Sequence, residues 1–168
     1  MQFKLKDITL RTVTLDDLNE VSRMWNFEKG EISENDALKA IEWMSNNHNQ
    51  NQIHNITHLC FGIFHNETNR IIGWCGLDGR NSNIDNKVNI FYLVDKEFRN
   101  RGYATECAFK LLEYGLSHMQ LDRIDGACSI DNIGSQKVME RIGMKRGQDD
   151  DGHHYFMTLD YYSQIYGY

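Results

Sequence analysis

Apolar and polar residues alternate at the start of the chain. From Leu5 to Thr12, Ile8 and Leu10 are set between polar neighbours, which predicts a first strand. The period then lengthens. Thr14 with Asp17 three residues on, and Ser33 with Asp36, each predict a helix start. Leu18, Val21 and Trp25 line one side of the first helix, and Ala37, Ile41 and Met44 the buried face of the second. The stretch Asn46 to His58 is rich in Asn, Gln and His with almost nothing to bury, and reads as a mobile surface loop. Three strand patterns follow, His58 to Phe64, Arg70 to Leu77 and Lys87 to Val94, separated by Asn-rich and Gly-rich turns; they predict an antiparallel meander.

A long helix follows the meander. Between Tyr103 and Met119, Ala104, Ala108, Leu111, Leu112, Leu116 and Met119 recur at helical spacing and give a face that can lie on a sheet. A strand, Arg123 to Ser129, returns after this helix, and a helical crossover requires it to run parallel to Lys87 to Val94. Near the end, Met144 to Gln148 and His154 to Leu159 flank Asp151-Gly152, a hairpin turn signal. The sum is a mixed α/β sheet covered by helices. No Pro/Gly/Ser linker or internal repeat divides it, so residues 1–168 are expected to form one domain.

Composition narrows the function classes. A net charge of −6 argues against a general nucleic-acid binder, which would carry a basic face, and favours a cationic partner. No apolar run is long enough for a membrane span, and the N-terminal segment reads as a strand rather than a signal peptide; a cytoplasmic location is expected. Cys60, Cys75, Cys107 and Cys128 show no Cys-x-x-Cys spacing and fall within apolar patterns, as reduced core thiols do.

The chemistry concentrates at Arg99-Asn100-Arg101-Gly102-Tyr103-Ala104, between a strand and a long helix. The first N–H groups of a helix have no partner within it and the dipole is positive there, so a phosphate is stabilised at such a turn. Gly102 permits close backbone approach, Arg99 and Arg101 add positive charge, and small Ala104 leaves room.

This turn resembles that of the GCN5-related N-acetyltransferases, the GNAT superfamily, whose coenzyme A turn reads Arg or Gln, two residues, Gly, one residue, Gly or Ala; Arg99, Gly102 and Ala104 match it. The run Asn132, Ser135 and Gly143 is similar to the branch named after the RimJ and RimL ribosomal-protein acetyltransferases. The resemblance is strong over residues 70–145 and one of pattern only before them. It implies a central, mixed, mostly antiparallel twisted sheet of about six to seven strands flanked by about four helices. It implies acetyl-CoA as acyl donor, with no metal, held by Leu93, Val94, Arg99, Asn100, Arg101, Gly102, Tyr103, Ala104, Thr105, Asn132 and Ser135. Dimers are common in this branch, so a homodimer is compatible with it.

Direct acetyl transfer needs a neutral amine, a donor for the developing oxyanion and a proton for the leaving thiolate. The resemblance implies a splayed strand that frees the Val94 N–H for the oxyanion. Many family members carry a Tyr acid seven residues after the Asn, where this chain has Met139; in the ribosomal branch a Ser takes that part, which makes Ser135 either the acid or a binding residue. Asn132 bonds the pantetheine arm or caps a helix. Asp95, Glu28, Glu31 and His154 are open as general base, and Cys107 offers an acyl-cysteine route. The Asp149 to His154 run reads as a charged hairpin tip rather than a metal site. Trp25, Trp74 and Tyr92 could wall an acceptor pocket with Glu28 on its rim, for a peptide N-terminus or a small cationic amine. The competing reading is a non-catalytic or regulatory coenzyme A binding module, resting on Met139.

Overall fold

The computed structural model describes residues 1–80, 87–148 and 152–167. In chain order these form β1 (Gln2–Lys4), β2 (Ile8–Arg11), α1 (Leu18–Met24), α2 (Glu34–His48), β3 (His58–His65), β4 (Ile71–Asp78), β5 (Asn89–Val94), α3 (Tyr103–Glu113), β6 (Arg123–Cys128), α4 (Ile133–Arg141), β7 (Lys145–Arg146), β8 (His153–Thr158) and α5 (Leu159–Tyr166). The strands make one sheet in the order β1-β2-β3-β4-β5-β6-β8-β7. Every neighbouring pair is antiparallel except β5 with β6. The fold class is the one expected from the sequence, with eight strands and five α-helices among the described residues in place of about six to seven and about four.

Both faces of the sheet are covered, which is why β3 and β4 are apolar along nearly their whole length instead of alternating. On one face Leu59, Phe61, Ile63, Cys75 and Leu77 pack with Cys107, Ala108, Leu111 and Leu112 of α3 and Tyr162 of α5. On the other, Phe64, Ile71 and Trp74 pack with Val21 and Met24 of α1 and Ala37, Ile41 and Met44 of α2. Polar contacts fix α1 on β4: Ile71 N–H donates to Glu20 Oε2 at 2.8 Å, and Arg23 Nη2 donates to Ile71 O at 2.7 Å.

Three expectations about local structure are corrected. The single strand Leu5 to Thr12 is instead a hairpin of β1 and β2, closed by Leu5 N–H donating to Ile8 O at 2.9 Å. The polar pair Lys6-Asp7 supplies the turn, and Phe3 gains a place against Phe61 and Tyr114, each ring 5.4 Å away. The loop expected from Asn46 to His58 is well anchored: α2 runs on to His48, Ile56 is fully buried, Asn51 Oδ1 accepts from Thr57 N–H at 2.8 Å, and His54 N–H donates to Met119 O at 2.7 Å. The last strand ends at Thr158, whose hydroxyl accepts from Tyr161 N–H and starts α5; Leu159, Tyr162 and Tyr166 then fall on the buried face. Asp151 of the proposed hairpin turn lies outside the described residues, though β7 and β8 do pair antiparallel. No helix of the described residues is long and apolar enough to cross a membrane.

Candidate active site

The parallel pair is where the sheet opens. β5 and β6 share a single register pair, Asn89 with Asp125, fastened by Asp125 N–H donating to Val88 O at 2.9 Å. Beyond it the strands part. Asp95 N–H donates to Ile72 O, and an added side chain at Gly73 would meet Leu93 O at 2.1 Å, so the odd-numbered residues of β5 turn their backbone groups to β4. Alternation therefore turns the Val94 N–H toward the split. The Leu93 carbonyl is turned to β4, away from the opening.

A cavity of about 800 Å³ fills the split. Its walls hold Tyr92, Leu93, Val94, Arg99, Asn100, Gly102, Tyr103, Ala104, Thr105, Asn132 and Ser135, joined by Glu28, Phe98, Ser129, Lys137 and Arg141. The turn before α3 contains two residues of positive φ, Asn100 at 63° and Gly102 at 87°. Such a turn, ahead of a helix whose first N–H groups lack internal partners, presents a concave array of backbone donors suited to an anion. Arg99 Nε is tied to Val94 O at 2.8 Å, which couples the turn to the strand that faces it.

Across the cavity, Asn132 Oδ1 caps α4 by accepting from Ser135 N–H at 3.0 Å. Tyr92 O–H donates to Ser135 O at 3.2 Å, and burial pushes its phenol up to about 12. Lys137 and Arg141, four residues apart on α4, line the same cavity as the Gly102 turn. Sequence reasoning missed both, although a cation pair at that spacing just after Asn132 is a legible signal for a polyanionic ligand.

A second cavity, of about 460 Å³, opens on the α1 and α2 side of the sheet, with Trp25, Trp43, His58, Cys60, Trp74, Asp78, Arg80, Asn89, Phe91 and Leu93 around it. The aromatic groups are locked to one another. Trp25 meets Trp74 at 5.7 Å and Trp43 at 6.3 Å, both edge to face, and His58 lies 4.7 Å from Trp43 and stacks parallel on Phe91 at 5.5 Å. Trp74 Nε1 donates to Met24 O at 2.7 Å within the core, which fixes that indole. At the far end Asp78 accepts from Arg80 Nε at 2.8 Å and from Arg80 Nη2; these hydrogen bonds hold its carboxyl down at about 2. His58 Nδ1 lies 3.4 Å from Asp78 Oδ1, and burial holds this imidazole below its ordinary range.

Of the sequence candidates, Trp25 and Trp74 come together in the aromatic cavity. Tyr92 and Glu28 border the larger cavity instead, because Tyr92 is on the opposite face of β5 from Phe91 and Leu93. Arg101 is outside both cavities; its guanidinium reaches Glu97 O at 3.3 Å and lies 5.2 Å from the Phe98 ring. Of the open general bases, His154 Nε2 is bonded to the fully buried Asp125 at 2.8 Å and Asp95 caps the short turn before Arg99. Cys107 is fully buried on the core face of α3. Met139 is buried against β6, its sulfur 2.9 Å from where a Gly126 side chain would begin. Asp149, Asp150 and Asp151 of the proposed charged tip lie outside the described residues. Trp43, His58 and Phe91 were not foreseen as site residues.

Comparison with known proteins gives this geometry a context. Residues 7–145 match the family model of the acetyltransferase (GNAT) domain. The uncharacterized N-acetyltransferase YnaD of Bacillus subtilis (strain 168) is 40% identical over 62 residues, 37% of this chain and 36% of that protein, so the matched stretch spans about a third of that relative's length. The ribosomal-protein-S5-alanine acetyltransferase from Vibrio fischeri superposes with a TM-score of 0.79 at 14% identity over 95% of this chain and 97% of its own. The ribosomal L7/L12 alpha-N-protein acetyltransferase RimL, solved in complex with coenzyme A, superposes with a TM-score of 0.71 at 15% identity over 96% and 99%.

Proposed function

Because the chain belongs to the acetyltransferase (GNAT) family, we propose that it transfers an acetyl group from acetyl-CoA directly to a primary amine. The observation that carries this reading is the position of Leu93, a residue that borders both cavities. One cavity has the backbone donors and cations that suit a pyrophosphate and a phosphate; the other is walled for an acceptor. They meet beside the Val94 N–H. The acyl donor supplies a thioester carbonyl carbon and a thiolate leaving group.

The donor set fits that substrate. The turn from Asn100 to Thr105, with Arg99, Lys137 and Arg141 on the walls, takes the phosphates; the freed edge of β5 and the Asn132 amide take the pantetheine arm. As the amine attacks, the carbonyl oxygen gains charge and Val94 N–H stabilises it; loss of such a donor typically costs about 10²-fold or more in rate. The C–S bond breaks, and Ser135, which lines this cavity, gives the sulfur its proton. The acceptor loses one proton on forming the amide. An α-amine, which titrates near ~7.7, presents its neutral form far more readily at neutral pH than a lysine side chain near ~10.4. A protein N-terminus and a small amine both satisfy this chemistry.

Titration calorimetry with acetyl-CoA tests the reading, with a Gly102→Val variant as control. Saturable binding that the variant loses supports it, and absence of binding by the parent protein overturns it.

A further inference from the structure

The aromatic cavity carries a statement about the acceptor, which rests on the reading above. Among the described residues that line it the charges cancel: Asp78 is the one carboxylate, and Arg80 already chelates it. A polyamine would have to desolvate several ammonium groups in a cavity whose described residues offer them no free carboxylate. The cation position on the Trp43 indole is also taken, since the Arg80 guanidinium lies 5.2 Å from that ring. His58 adds no positive charge near neutral pH, because burial favours its neutral form. What the cavity does offer is flat apolar surface from Trp25, Trp43, Trp74 and Phe91. Its two ends on β5 are Leu93 and Asn89, four residues or roughly 13 Å apart.

We infer that the acceptor is a primary amine joined by a short linker to a flat aromatic body. The body lies among Trp43, Trp74 and Phe91, and the amine projects past Leu93 toward the thioester carbon whose oxygen the Val94 N–H polarises. The net acidity of the chain favours approach of a cation but does not decide what fits. Free arylalkylamines and peptides with an aromatic N-terminal residue share this chemistry.

The test takes the full chain and measures acetyl-CoA affinity by calorimetry, then kcat/KM for phenethylamine, tryptamine, a peptide beginning with Phe, a peptide beginning with Ala, and spermidine. Aromatic acceptors are expected to exceed spermidine and the Ala peptide by about tenfold or more, the size of effect that aromatic contacts supply beyond area burial. The free amines against the Phe peptide distinguish the two sources. A Trp43→Leu variant should raise KM for the aromatic acceptors by about tenfold while acetyl-CoA affinity is unchanged, which also reports that the variant is folded. Independently of turnover, phenethylamine should change the intrinsic tryptophan fluorescence saturably. Acetyl-CoA binding together with equal or better use of spermidine would overturn the inference and leave the enzyme reading standing. No acetyl-CoA binding would overturn both.

Discussion

The two cavities that meet at Leu93 are built on different principles. The larger is drawn mainly from two contiguous stretches, Tyr92 to Thr105 and Ser129 to Arg141, and it works through backbone: a parted strand pair, two residues of positive φ and an unpaired helix start. The smaller gathers side chains from α2, β3, β4, β5, the residue after α1 and Arg80 beyond β4, and it works through ring faces. A backbone site restricts which residue types can stand at fixed offsets, so it leaves a motif. A side-chain site needs only that distant residues converge, and any one of them can change while the cavity keeps its character. The first should therefore break at one residue, and the second should wear down by degrees.

The sharpest way to test that contrast is Gly102. Its φ of 87° is strained for any L side chain, most of all a β-branched one, while an added Cβ would meet nothing within 4 Å. Gly102→Val is therefore expected to reshape the turn without opening the core. Acetyl-CoA affinity should fall on the order of 100-fold, beyond what calorimetry detects, for a strain of about 1–3 kcal/mol plus the lost anion contacts. The melting temperature should move little. Retained affinity would sink the assignment of the turn.

Next in size is Ser135→Ala. If the hydroxyl gives the leaving sulfur its proton, kcat should fall on the order of 10²-fold with acetyl-CoA affinity unchanged, since the Asn132 cap uses the Ser135 N–H and not the hydroxyl. A loss of affinity that matches the loss in rate would make Ser135 a binding residue.

What could be read before the structure follows the same division. The parallel return of β6 and the turn around Gly102 are local and periodic, and both were legible. Lys137 and Arg141 were legible in principle, since their spacing places them on one helix face. Trp43, His58 and Phe91 were not: each sits on an element whose own pattern says only that it packs within the fold, and their convergence is set by how α2 lies across β3 to β5. Tyr92 shows the cost of a one-residue shift on a strand, for it and Phe91 face opposite sides and belong to different cavities. The hairpin of β1 and β2 and helix α5 escaped for a related reason, since Phe3 and Tyr162 gain their burial only from partners far along the chain.

Trp74→Phe probes the side-chain site at lower cost. It removes the bond from Nε1 to Met24 O and leaves that buried carbonyl without its donor, a loss of about 1–3 kcal/mol in stability by urea titration. Acceptor KM should rise severalfold while acetyl-CoA affinity stays put. Equal losses for both substrates would mean the cavities are not separable in this way.

The smallest expected effect distinguishes the ring of His58 from its charge. Burial lowers the pKa of His58 more than Asp78 raises it, with Arg80 also lowering it; His48 on α2 is lowered by burial as well. An unfolded histidine titrates near ~6.5, so as pH falls below that value the unfolded chain takes up protons that the native chain resists. The stabilising contribution is thus full above about pH 6.5 and declines from there through the lower native value, with a slope of at most about 1.4 kcal/mol per pH unit for each histidine. Asp78 acts in a separate window: its native carboxyl stands at about 2, so its contribution is present above the ordinary ~3.9 and fades only between the two. Urea titrations at pH 7.5 and 5.5 on the parent and on His58→Phe isolate the upper window. The variant keeps a flat ring on Phe91 and against Trp43, so it should flatten the pH slope while leaving aromatic acceptor KM nearly unchanged. An undiminished slope would show that His58 is not the group responsible, and a large rise in KM would show that the cavity uses its polarity rather than its face.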